Sequence, residues 1–294
     1  MKKVLLMLSA ISLLTIASCS KSKNEPVQEE TPTEKLSDCL VKSTENLSSS
    51  DGTIYSNKAF ITYNDLQKIT RIDYDVEKST DFKTFTYEKS KITIRAENTS
   101  NRANETDERI YTLDAQGRIA SSPDDYRNAV TNFSYNTEGY LAVVKKTYVD
   151  SDTKENITET KTYSYTDGNL TKMIYEISSP TKVFYKGTST ISYLNDALEN
   201  SVVASKVFDS ITPDEVDENL ISFIGKKSKN LPGKVVSVDI YLDPISNGTS
   251  TFQFTYQKDA KGNVTSLKTS QSTIYTNGNT YSYNEEDKFS YTCK

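Results

Sequence analysis

The side chains able to do chemistry here are carboxylates, hydroxyls, tyrosines and three cysteines, because the 294-residue chain has no histidine and no tryptophan. Losing histidine removes the commonest general base and the commonest metal ligand, so Ser-His and Cys-His nucleophiles and His-containing zinc sites are excluded. Forty Asp and Glu residues leave acid–base pairs and cation sites open, yet no motif marks one. Asp150-Ser151-Asp152-Thr153-Lys154-Glu155 is a faint calcium-loop pattern that lacks glycine at its sixth position and has Lys154 where an oxygen ligand belongs, so it reads as a solvated hairpin tip. Asn284-Glu285-Glu286-Asp287 likewise reads as a charged turn. No catalytic residue, metal or cofactor is expected. The net charge of −5, with both signs mixed along the chain, argues against a nucleic-acid partner.

The elements around these groups start with an export signal. Lys2 and Lys3 precede an apolar run from Val4 to Ile16, too short to span a bilayer, and Ile16-Ala17-Ser18-Cys19 resembles the bacterial lipobox. Residues 1–18 are therefore expected to be removed and Cys19 lipidated, so that acyl chains are the only membrane anchor. Residues 19–35 are polar and free of aromatics, the composition of a flexible tether. Ser20 after the lipid site favours sorting to an outer membrane, facing either the periplasm or the cell surface.

Beyond the tether, residues 36–294 form one repeat-built β domain. An aromatic-x-Tyr pair, a polar turn and an aliphatic residue recur, as in Phe133-Ser134-Tyr135, turn, Leu141 and Tyr163-Ser164-Tyr165, Asp167-Gly168, Leu170. The marker residues are Tyr63, Tyr87, Leu113, Tyr135, Tyr165, Tyr193, Tyr256 and Tyr283. Most spacings lie between 22 and 30 residues, the length of a β-hairpin. Alternating aromatics and Thr/Ser put the rings on one face, and Gly supplies the positive φ of tight turns. The fold expected is all-β, an antiparallel meander of hairpins in a curved sheet. The recurring tyrosines read as cross-strand packing rather than as sugar-stacking platforms, because a binding site would break the period.

A 63-residue gap between Tyr193 and Tyr256 holds an insertion, placed at 209–232. Thr212-Pro213-Asp214-Glu215 has the form of a helix start, and Val216, Leu220, Phe223 and Ile224 recur at helical spacing before Gly225, which predicts a helix over about 213–224. Its role would be to plug or cap the apolar side of the sheet, or to gate a ligand. Asp209-Ser210-Ile211 makes Ser210 a candidate O-glycosylation site, though Ser210 also sits just ahead of the helix cap.

These features resemble a family of Bacteroides-type lipoproteins described as porin-like, in which such hairpins follow a lipobox and an interrupting segment carries the pattern seen here as Gly225-Lys226-Lys227-Ser228-Lys229-Asn230-Leu231-Pro232. A more distant resemblance is to the Tyr-Asp repeats of Rhs-type shells, whose Arg-Tyr-x-Tyr-Asp core is absent. The resemblance implies a barrel-like sheet and export, and no activity. The alternation Ile157-Thr158-Glu159-Thr160-Lys161-Thr162-Tyr163 offers Glu and Lys on one face and Thr on the other, neither suited to lipid.

The functional expectation is a non-enzymatic envelope lipoprotein that binds or scaffolds a glycan or protein ligand. The alternatives are a glycan hydrolase with paired carboxylates and a surface adhesin or assembly subunit; oligomeric state is open. Lipidation would consume Cys19 and leave Cys39 and Cys293 at the two ends of the folded region, in a compartment where disulfides persist. A Cys39–Cys293 bond is expected, with two unpaired thiols as the alternative.

Overall fold

The computed structural model describes residues 38–50, 53–75, 81–97, 106–124, 128–208, 213, 215–242 and 246–293. Cys19, Ser210, the signal and the tether lie outside these residues, as do Thr212 and Asp214 of the expected helix start. A compact unit spans Lys35–Lys294.

Among the described residues the chain forms sixteen strands: β1 (Cys39–Ser50), β2 (Thr53–Tyr63), β3 (Ile69–Asp75), β4 (Phe82–Tyr87), β5 (Lys91–Glu97), β6 (Thr106–Leu113), β7 (Ile119–Asp124), β8 (Ala129–Tyr135), β9 (Leu141–Val149), β10 (Asn156–Thr166), β11 (Asn169–Ser178), β12 (Val183–Ala197), β13 (Asn230–Tyr241), β14 (Gly248–Lys258), β15 (Val264–Tyr275) and β16 (Thr280–Cys293). Each pairs antiparallel with its neighbours in chain order, and β1 pairs with β16, so the meander closes into a barrel with no free edge. Both ends of the described chain reach one rim, here the terminal rim. Cys39 opposes Cys293 there, Cα atoms 4.0 Å apart, joined by a disulfide.

Four turns of the terminal rim share one construction. The side-chain oxygen of Asn64, Asp114, Asn136 or Asp259 accepts hydrogen bonds from the backbone N–H groups two and four residues later. The fourth turn residue is then forced to positive φ, at Gln67, Gly117, Gly139 and Gly262. Glycine meets that demand without a Cβ clash, which is why it recurs there. A one-residue register shift precedes each turn, as between Ser134 and Tyr135, and turns the strand end inward.

The period-two alternation assigns the faces. One apolar cluster collects Val41, Ile72, Phe85, Ile92, Tyr111, Phe133, Tyr163, Met173, Ile191, Val235, Phe254 and Phe289 from strands all round the barrel, so their face is the interior. The opposite face carries Thr158, Thr160, Thr162 and Ser164 on β10, and the Arg95–Glu108 pair, 2.5 Å apart, between β5 and β6. Glu159 and Lys161 are buried inside, among aromatic residues.

The interior beside the terminal rim is filled by the excursion between β12 and β13. It spans 198–229, earlier than the expected 209–232. Among its described residues the one α-helix, α1, is Ser201–Phe208, not the expected 213–224. The expected segment holds instead a 3-10 helix at Glu218–Phe223. Asn200 caps α1 by accepting from the Val202 N–H at 2.9 Å, and Asp217 caps the 3-10 turn through Asn219. Val203, Ala204, Val207 and Leu220 are 0–1 % exposed, so the two short helices form a plug in the barrel core. Gly225 follows the plug at φ 90°, and a Cβ there would press on the Gly139 carbonyl.

The last repeat also shifts. Tyr281-Ser282-Tyr283 begins β16 at the far rim, and the pair that ends the strand at the terminal rim is Phe289-Ser290-Tyr291. The 14-residue β16 is long enough to carry both pairs, and the turn 276–279 belongs to the far rim.

Candidate functional site

Two sets of tyrosines occupy the barrel interior, and they do different work. The first follows the repeat. The hydroxyls of Tyr63, Tyr87, Tyr135, Tyr193, Tyr256 and Tyr291 donate to the carbonyls of Val41, Ile69, Ile119, Leu170, Pro232 and Val264 at 2.6–2.9 Å. Each bond ties a strand end to a residue near the start of the strand before it. Burial raises these phenols, that of Tyr193 to about 12, so they stay neutral donors. The set is a structural girdle at the terminal rim.

The segment from Gly225 to Pro232 docks onto this girdle. Ser228 accepts from the Leu170 N–H at 3.0 Å and lies 3.1 Å from the Tyr193 hydroxyl. Lys226 donates its N–H to the Gly139 carbonyl, and Lys229 donates to Gly168. The motif fastens the returning chain to two turns.

Below the girdle, inward lysines meet carboxylates of the plug. Lys83 on β4 lies 2.7 Å from Asp217, and Lys146 on β9 lies 3.1 Å from Glu159 and 3.3 Å from Glu215. Lys161 on β10 lies 3.7 Å from Glu215. Burial works against charge on Lys83 and Asp217, but their mutual attraction wins: the amine is raised above, and the carboxyl held below, its ordinary value. These pairs fix the plug's depth and register.

The second set of tyrosines lies between the plug and the far rim. Tyr175, Tyr185, Tyr241 and Tyr275 sit on inward positions, sharing a face with Met173, Ile191, Val235 and Leu267 on their own strands. Tyr241 remains 42 % exposed and Tyr275 38 %, so they line an open chamber rather than a packed core. The rings meet at corners: Tyr175 and Tyr185 have centroids 5.2 Å apart at 64°, Tyr185 and Tyr241 4.8 Å apart at 54°. Tyr185 donates to Asp239 Oδ1 at 2.5 Å. Two inward glycines make room: Tyr185 leans over Gly187, and the Tyr275 ring covers Gly248, so a Cβ at either position would crowd a ring. Burial and the Asp239 carboxylate raise the Tyr185 hydroxyl far above the usual phenol range.

Sequence reasoning singled out the periodic tyrosines and passed over this second set. Its signal was available as aromatics on inward parity that break the repeat. Of the other sequence candidates, Cys39 and Cys293 come together at the terminal rim. Asp150 spends its carboxylate on its own hairpin tip, accepting from the backbone of Asp152 and Thr153. Asn284-Glu285-Glu286-Asp287 is not a turn but the middle of β16, where alternation sends Glu285 and Asp287 inward. Among the described residues no group of three or more Cys, Asp or Glu is placed to hold a metal ion.

A porin-like protein from Bacteroides uniformis superposes with TM-score 0.58 at 18 % identity, covering 86 % of this chain and 96 % of that one. The fold is porin-like. A second porin-like protein, from Bacteroides vulgatus, matches with TM-score 0.54 at 14 % identity over 86 % of this chain and 98 % of that one. No family model matches the chain, and no curated protein sequence does. The likeness is one of architecture and carries no activity with it.

Proposed function

We propose that the protein is a non-catalytic envelope lipoprotein, held by lipid on Cys19 and sorted to the outer membrane, that binds a ligand in the open half of its barrel. One observation carries this reading. The plug and the girdle fill the terminal half of the interior, while the far half keeps tyrosine rings turned inward and exposed to solvent. The exposed parts of these rings leave contact surface that no protein group covers among the described residues, and tyrosine supplies rigid contact area with a polar tip. The outer wall supports anchoring by lipid rather than by the strands, since its hydroxyls and ion pairs would lie in hydrocarbon otherwise.

A hydrolase would need a second, free carboxylate near Asp239. Glu159 faces the same interior but is buried and engaged by Lys146 at 3.1 Å, which suits a structural anion. The test is equilibrium binding of the chain lacking residues 1–35 to a panel of envelope glycans and peptides, with Tyr241→Ala alongside. One class should bind and lose about tenfold or more in affinity in the variant, the scale of a buried aromatic contact. Hydrolysis of a panel member with no stable binding would overturn the proposal.

A further inference from the structure

Tyr175, Tyr185 and Tyr241 form a bent wall, with successive rings turned 64° and 54° from one another. Flat sugar rings call for a flat platform; turned rings enclose a point. Aromatic faces are the negative side of the ring quadrupole, so walls set at angles around one point attract a positive charge there. Asp239 stands in this corner on the inward face of β13, with Oδ1 taken by Tyr185. Among the described residues no lysine or arginine pairs with it. The inward lysines Lys83, Lys146 and Lys161 are all engaged by carboxylates. The Lys161 ammonium also lies 5.0 Å from the Tyr175 ring centre, so the open part of the wall is Tyr185 and Tyr241. A carboxylate without a cation, set among aromatic faces, is half of an ion pair whose other half comes from outside.

We infer that the corner of Tyr185, Asp239 and Tyr241 binds a substituted ammonium ion. This rests on the proposed chamber and specifies what it takes. The cation lies against the tyrosine faces and Asp239 supplies the opposite charge.

The test is calorimetric titration of the full chain in detergent with choline chloride, with its uncharged carbon isostere 3,3-dimethylbutan-1-ol, and with glucose. Choline should bind at least about tenfold tighter than the isostere, the scale of a desolvated cation–π contact with a counter-charge. Asp239→Asn keeps the acceptor for Tyr185 and should weaken choline about tenfold. Tyr241→Phe should retain binding and Tyr241→Ala should lose it. Equal affinity for choline and the isostere overturns the inference, as does choline binding that ignores Asp239→Asn. Glucose binding that Tyr241→Ala abolishes, with no response to choline, overturns the cation and leaves the chamber standing. Silence from these probes and from the envelope panel removes both.

Discussion

Asp287 shows how a single residue in this barrel couples to pH. It is 2 % exposed in β16, accepts from Asn46 at 3.0 Å, and faces Lys206 and Glu218 of the plug with Glu285 on its own strand. Burial dominates, and raises its carboxyl to about 6 from an ordinary 3.8. The folded state thus holds the proton more tightly than the unfolded state. This contribution is fully present below about 3.8 and is lost as pH rises through about 6. The shift is worth about 3 kcal/mol. Asp287→Asn, which keeps the shape without the charge, should match the parent in urea unfolding near pH 3.5. It should exceed the parent by up to about 3 kcal/mol at pH 7.5. A difference constant across that range would rule out titration of Asp287 as the cause. Sequence alone gave no hint of this, because Asn284-Glu285-Glu286-Asp287 reads as a solvated run until the register of β16 places alternate residues inside.

At the scale of elements, the hairpins and the presence of an insertion were legible, and the helices inside that insertion were not. Aromatic–Thr/Ser alternation and the Asx-to-Gly turns are local signals, and the barrel uses them locally. The plug obeys tertiary forces. Ser201-Val202-Val203-Ala204-Ser205-Lys206-Val207-Phe208 is rich in β-branched valine, which reads as strand, yet it is helical because Asn200 caps it and the barrel buries nearly its whole surface. Pro213 and Glu215 look like the first turn of a helix. The Glu215 carboxylate instead goes to Lys146 and Lys161, so it is unavailable as a capping group. Leu220, fully buried in the 3-10 turn, is the plug's central anchor. Leu220→Ala should cost about 2–5 kcal/mol in denaturant unfolding, the range for a buried leucine that leaves a cavity. A loss well under 1 kcal/mol would show that the plug is not packed as the core of the barrel.

At the scale of the whole molecule, closure depends on the seam between β1 and β16, the one pairing between strands distant in sequence. Fourteen consecutive strand pairs find each other after short connections and β12–β13 across the plug, but this last pair must close a ring across a separation of 254 residues. Joining such distant ends costs chain entropy with little local help, so the seam is where a meander of this kind frays first. Two devices act there. The Asn46 side chain donates across it to Glu285 and to Asp287, and the Cys39–Cys293 bond sits at its terminal-rim end. Constraining the unfolded chain by a loop of this length is worth up to about 5 kcal/mol. Thiol counting on the denatured, unreduced protein lacking Cys19 should therefore find no free thiol. Replacing both Cys39 and Cys293 by Ala should lower the unfolding midpoint without changing the far-UV signature of the folded barrel. Two free thiols in protein from an oxidising compartment would sink this assignment. An unchanged midpoint after double replacement would show that the remaining β1–β16 pairing closes the ring unaided.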